Sequence, residues 1–461
     1  MVRRRSAIVA GLASVLVVVG VLAAPALASA PSGARLWYRV LPASHQDDSF
    51  SQVAVAPDGA VYAAGTANEP HGALLLARYS PAGKLLWSHR YHGQAHDQGS
   101  RLAVDRFGNA IVAGCAITAA GAERLLVVKY TPGGVRAWVR RPPCGAANQN
   151  TAVAGLVVDA AGDVYLSATV PAARGQGYDC LTVAYNGHGT RLWASRYHTA
   201  GEGSEVRAMA IDARRNIYLA GATTGSDGVL DCLTMKLSSA GRRLWLRRLE
   251  AFDPRYDCWG SALAVRGKQV VVAAQGALDA TGSQFELILT AYDTAGHTRW
   301  TRYPAISEPG LTNVNVMANA LALDRAGNAL YAGGDGLSGP PWSAAFLGKS
   351  AAGGASLWSL LFWNRGAGLA ADYAALAVDK SGNAYCGGLV DQSPTGLGDF
   401  IVAKWGADGR ARWLQDLQVD PAGEAACLSV ALARGPTAVY GAGYAYRTGW
   451  DLDALLVKIE P

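Results

Sequence analysis

Residues able to do chemistry recur in this chain at a near-constant interval. One acid or amide falls in each of eight successive stretches of about 50 residues: Asp48, Asp97, Asn150, Glu205, Asp257, Asn315, Asp372 and Glu424. Gathered at one mouth, such groups would bind a cation or a polyol. The same side chains can instead cap their own loops by accepting backbone N–H bonds. Histidines concentrate in the first stretch, at His45, His71, His92 and His96, next to Asp97. Imidazoles so placed can hold a transition metal, or simply be solvated loop residues. Asp105, Asp212, Asp324 and Asp379 recur with Lys129, Lys236, Lys349 and Lys404. These suggest ion pairs, each contributing under ~1 kcal/mol if exposed. No Ser-His-Asp set, phosphate-binding glycine loop or catalytic carboxylate pair stands out.

The seven cysteines include no C-x-x-C, so no zinc or redox motif is indicated. An exported chain can keep disulfides. Cys232 and Cys258 are placed to meet, as are Cys115 and Cys144, while an odd count leaves one thiol over. All seven are expected towards one face of the fold.

The elements that position these residues show in the tryptophans. Trp37, Trp87, Trp138, Trp193, Trp245, Trp300, Trp358 and Trp413 each follow a glycine by four residues. Upstream of most lies a hairpin pattern such as "LAVDRFGNAIVAG" or "LAVDKSGNAYCGG": an apolar run, a turn of Asp, Gly and Asn, and a second apolar run. A third run follows, then the glycine turn and the tryptophan strand. Four strands, A to D, thus recur with no helical pattern between them. This predicts a β-propeller, whose blades are four-stranded sheets around a channel. Strands A to C are apolar on both faces, as a blade covered by two neighbours requires. Strand A carries a central alanine where strands converge on the axis. Strand D is charged, which resists edge pairing.

Counting A-B hairpins gives eight antiparallel blades. The last repeat stops after strand C, and "GARLWYRV" (33–40) supplies its missing strand D, closing the ring. The stretch "LAVDRFGNAIVAG…RLLVVKYTPGGVRAW" resembles the SBBP-type β-propeller repeat of secreted bacterial proteins, over about 33–461. The family name implies seven blades, whereas this chain counts eight; repeats 5 and 8 lack the Asp-Gly-Asn turn. Quinoprotein propellers share eight blades and a glycine-to-tryptophan motif, but nothing here resembles their cofactor site, so no cofactor is expected.

Residues 1–28 read as a secretory signal: Arg3, Arg4 and Arg5, an apolar run to Ala24, then "APALASA" with Ala26 and Ala28 for cleavage. An uncleaved anchor is the alternative, although the run is short for a span of ~20 residues. The propeller occupies 31–461. Loss of three arginines leaves 38 basic against 35 acidic residues, too balanced for nucleic-acid binding. The expectation is a secreted, monomeric binding or scaffold module. Its partner, protein or carbohydrate, would meet the face built by the D-A and B-C loops, with "SGPPW" (338–342) a modest candidate surface. The competing reading is a hydrolase or lyase at the channel mouth.

Overall fold

The computed structural model describes residues 33–41, 47–68, 72–92, 96–117, 123–142, 151–173, 177–199, 203–250, 255–279, 284–306, 313–337, 343–362, 371–391, 398–419, 423–435, 437–446 and 452–461. Every regular element among them is a strand, and the strands form an eight-bladed propeller. Blade 1 shows the pattern: A (Asp48–Val55), B (Val61–Ala67), C (Ala73–Tyr79) and D (Leu85–Tyr91), each antiparallel to the next. A single parallel bridge between Phe285 and Asn315 joins blades 5 and 6 into one larger sheet.

The core lies between blades. Tyr62, Leu74 and Leu76 of blade 1 pack on Leu102, Val112, Leu126 and Val128 of blade 2. Strands B and C are buried on both faces, so both must be apolar, and each leucine contributes roughly 1.5–3 kcal/mol. The strand A alanines, Ala54 and Ala377 among them, remain partly exposed, as residues facing an open axis should.

One feature of strand A has no sequence signature. Its register with strand B shifts by one residue in every blade, as between Phe50 and Gln52 or Tyr373 and Ala375. The extra residue of such a bulge is turned away from the ladder. Ser51 Oγ uses this to reach Gly99 O of blade 2 (3.0 Å), and Asn319 Nδ2 to reach Tyr373 O of blade 7 (3.0 Å). The bulges thus link neighbouring blades near the axis.

The glycine and tryptophan of one repeat serve different seams. Gly83 has φ +81°, which opens the C-D turn, and its face receives Trp37 of the preceding blade. A Cβ there would lie 2.8 Å from the Trp37 ring. The indole Nε1 donates to Pro81 O (3.3 Å) in the same turn. Each of the eight motif glycines seats the preceding blade's tryptophan in this way.

Ring closure follows the predicted path. Strand D of blade 8 (Arg35–Leu41) pairs with strand C (Leu452–Ile459), matching Trp37 to Lys458 and Leu41 to Ala454. Glu460 N donates to Ala34 O (2.9 Å).

The Asp–Lys pattern is corrected in part. Lys129 meets Asp105 at 3.0 Å and Lys349 meets Asp324 at 3.0 Å, and these pairs are buried rather than exposed. Lys236 and Lys404 lie instead over the rings of Tyr218 and Tyr385, 5.0 and 5.3 Å from the centroids. The cross-strand partner decides. Opposite Lys129 and Lys349 stand Ile111 and Leu330; opposite Lys236 and Lys404 stand those tyrosines. Each tyrosine hydroxyl donates to the aspartate, Asp212 or Asp379, at 3.0 and 3.2 Å.

Cys232 and Cys258 form a disulfide between blades 4 and 5. Cys144 lies outside the described residues; Cys115 Sγ approaches Thr151 O (3.0 Å). Cys386 departs from the common face, since it is the third residue of a strand B that starts at the A-B turn.

Candidate functional site

The D-A and B-C connections do share one face, with the A-B and C-D turns on the other. Of the recurring acids and amides, Asn150 lies outside the described residues, as does the side chain of Asp97. The others stand at different heights. Glu205 and Asp372 lie just before the strand A bulge, opposite Ala222 and Leu389. Asp48 lies one residue further out, opposite Ala67, and Asp257 and Glu424 precede the strand. The carboxylates among them find partners within their own blade or in the neighbouring one. Asp48 is buried and meets Arg90 of strand D at 2.9 Å. Glu205 meets Arg207 at 2.8 Å. Asp257 accepts from Leu230 N at 2.9 Å, across to blade 4. Glu424 accepts from the Tyr444 hydroxyl at 2.7 Å. Asn315 supplies the bridge to Phe285.

Asp372 is the most perturbed of the set. It sits between blades 6 and 7, against Gly334, where a Cβ would come 2.9 Å from its Oδ1. Burial pushes its carboxyl up to about 6, against the Tyr373 N–H and the Asn319 amide (3.1 Å), which pull it down. A carboxyl raised this far holds or releases a proton near neutral pH.

His45, His71 and the side chain of His96 lie outside the described residues; His92 is exposed at the end of blade 1. Residues 338–342 also lie outside. Among the described residues, no three His, Cys, Asp or Glu side chains converge as metal ligands.

A second series of acids lies on this face, and the recurring-residue pattern above did not include it. Asp179, Asp231, Glu286, Asp399 and Asp453 each open strand C, five residues before the lysine position. The sequence signal was present in "YDCLTVAY", "LDCLTMKL" and "GDFIVAKW". Asp179 is fully buried and meets Arg196 and the His198 Nδ1, each at 2.6 Å. Burial alone would raise its carboxyl, but Arg196, His198 and the Ala173 N–H hold it below the usual range. A carboxylate behind Nδ1 fixes the imidazole and leaves its other nitrogen to act, the arrangement a proton acceptor needs. His198 follows strand D, at the outer rim rather than the channel mouth. Burial pushes the thiols of Cys180 and Cys386 up, and that of Cys427 up to about 12, so none is a ready nucleophile.

Fold and face together define an eight-bladed β-propeller with a polar loop face. No family model and no curated protein matches the chain. Among solved structures it is similar to Sqt1 from Chaetomium thermophilum, at 12% identity over 93% of this chain and 99% of that one, with a TM-score of 0.53. It is also similar to an ulvan lyase (12%, 90% and 96%, TM-score 0.47). A third is virginiamycin B lyase from Staphylococcus aureus (10%, 92% and 99%, TM-score 0.44). The likeness to Sqt1 is one of fold alone, and the two lyases add no argument about activity.

Proposed function

We propose that the chain is an exported β-propeller serving as a binding or scaffold module through its D-A/B-C face, and that it belongs with the SBBP-type repeat proteins. The observation that carries this is the local commitment of the charged groups there. Asp48 with Arg90, Glu205 with Arg207 and Glu424 with Tyr444 are each matched within their own blade. Such pairs hold the shape of a surface rather than concentrate charge on a reacting atom. Residues 1–28 direct export and are removed, leaving a monomer free of the membrane. Its partner is a protein or a carbohydrate, not nucleic acid. Family membership rests on the Asp-x-x-Gly-Asn-x-Tyr hairpin and the glycine-to-tryptophan strand.

The test has two parts. Sequencing the N-terminus of protein released by an expressing cell is expected to give Ser29. A thermal-shift screen of sugars and metals, with capture of proteins from culture medium, is expected to find a stabilising saccharide or a retained protein. No ligand of either kind would leave a scaffold without a binding role.

The Asp179–His198 pair favours a second reading, a hydrolase or lyase. Turnover of an ester or polysaccharide panel that disappears in His198→Ala would replace the binding module with that enzyme.

A further inference from the structure

Repeat 5 departs from its siblings, and the departures meet in one place. On the A-B/C-D face, a cleft of about 680 Å3 opens between blades 5 and 6. In blades 2 and 6 the equivalent space is filled. Lys129 and Lys349 run from strand C past their own aspartates towards Gly187 O (3.2 Å) and Ala407 O (3.4 Å) in the next blade's C-D turn. Blade 5 has Ala291 at that position, and Ala291 lines the cleft. Gln269 takes over the lysine's carbonyl, donating to Ala352 O at 3.2 Å.

The remaining changes add positive charge. Strand A of blade 5 ends in Arg266, where five other blades place an aspartate. Arg299 precedes Trp300, where Leu36, Leu86, Leu192, Leu244 and Leu357 precede theirs. Lys268 and Arg325, from two adjacent A-B turns, complete the lining. The one acid in the cleft, Asp293, is matched by Arg299 (2.8 Å) and His297 (3.0 Å). Arg266, Lys268 and Arg325 are exposed and have no ion pair within 4.0 Å among the described residues.

We propose that this cleft binds a small-molecule oxyanion carrying two or more negative charges, either phosphate ester groups or several sulfate ester groups together. The missing lysine supplies the room, and cations from three separate segments supply the field. Arginine forks match the oxygen edges of such groups. More than one negative charge is required, because a single exposed pair contributes only ~0–1 kcal/mol. The site faces away from the surface assigned to the binding role above, so the two stand or fall separately.

The experiment uses calorimetry on the full propeller with inorganic triphosphate, a sulfated tetrasaccharide and a neutral tetrasaccharide. Three variants are compared. Ala291→Lys restores the plug while adding a positive charge. Arg266→Glu reverses one wall. Arg242→Glu changes an equally exposed arginine on the C-D turn of blade 4. At least one anion is expected to bind, the neutral sugar not. Affinity should fall at least tenfold in both Ala291→Lys and Arg266→Glu and stay unchanged in Arg242→Glu. Whichever anion binds tighter separates a phosphorylated from a sulfated ligand. Thermal unfolding of each variant shows that the ring is intact, and Arg266, exposed on a turn, provides the loss independently of the buried position. Binding of neither anion would overturn the proposal. So would unaltered binding in Ala291→Lys, or an equal loss in Arg242→Glu, which would mean that general surface charge is responsible.

Discussion

The indole of Trp413 lies against Gly33, so close that a Cβ on the glycine would be 2.6 Å from the ring. These residues are 380 positions apart, yet they form the same joint that Trp37 makes with Gly83. Gly33 also holds φ at +113°, where an L side chain is strained. Gly33→Ala should therefore lower stability by about 2–4 kcal/mol, from backbone strain and overpacking together. Gly83→Ala should do the same, because the closing seam and an internal seam are built alike. Chemical denaturation of both variants checks this. A neutral Gly33→Ala would mean that the ring does not depend on its closing strand, and deleting 33–41 would then also be tolerated.

Lys129→Met leaves Asp105 buried with Asn109 and two backbone N–H groups as its remaining donors. Because the pair is buried, the loss should be about 2–3 kcal/mol, somewhat less than for a wholly stranded charge. Lys404→Met removes only the contact with the Tyr385 ring and should cost under ~1 kcal/mol. Burial alone would raise the Asp105 carboxyl, but Asn109 and Lys129 hold it below the ordinary value. Its contribution is thus present above about pH 4 and lost as pH falls through the lowered value. Denaturation midpoints of the two variants at pH 7 and pH 3 measure both effects. Equal losses would sink the distinction between them.

Asp372 titrates in the opposite sense. Its carboxyl rises from 3.8 to about 6 on folding, so the folded protein binds its proton more tightly. Stability should be greatest below pH 4, decline between pH 4 and 6, and level off above, by up to about 3 kcal/mol. Asp372→Asn keeps an uncharged group beside Asn319 and should remove this decline, making the variant more stable than wild type at pH 7.5 and equal at pH 4. Thermal midpoints across that range give the answer; parallel curves would show that Asp372 is not the titrating group.

The disulfide ties strand C of blade 4 to strand A of blade 5 across 26 residues. Chain entropy assigns such a loop roughly 3–4 kcal/mol. Replacing both cysteines with serine should lower stability by that amount. Hydrogen exchange should show the greatest loss of protection at the seam between blades 4 and 5. Uniform loosening of all blades would instead indicate that the ring opens as one unit.

The sequence revealed what recurs locally. The glycine-to-tryptophan spacing and the hairpin turns set the number of blades, and the incomplete last repeat identified the closing strand. Contacts between repeats were hidden, because a residue four positions from its motif partner proves to pack about 50 positions away. Lys236 and Lys404 show why: their fate depends on Tyr218 and Tyr385 across the ladder, and one strand alone does not reveal that. The strand A bulges were invisible for a related reason. An extra residue in an already apolar run changes no composition and adds no turn signal. The acids that open strand C were fully legible, since they keep a constant offset from the lysine position.

The closing strand also sets the order in which the protein can be assembled. Strand D of blade 8 emerges first and pairs with the strand that emerges last. Until then blades 1 to 7 can only form an open arc whose two end faces, both apolar, are uncovered. Joining ends so distant in the chain carries a large loop-closure entropy, so completion should be the slow step. The ends of the ring are already within hydrogen-bond reach at Ala34 and Glu460. A circular permutant that joins them and is cut at another C-D turn would begin and end within a different blade. It should reach the same native state by a different sequence of events.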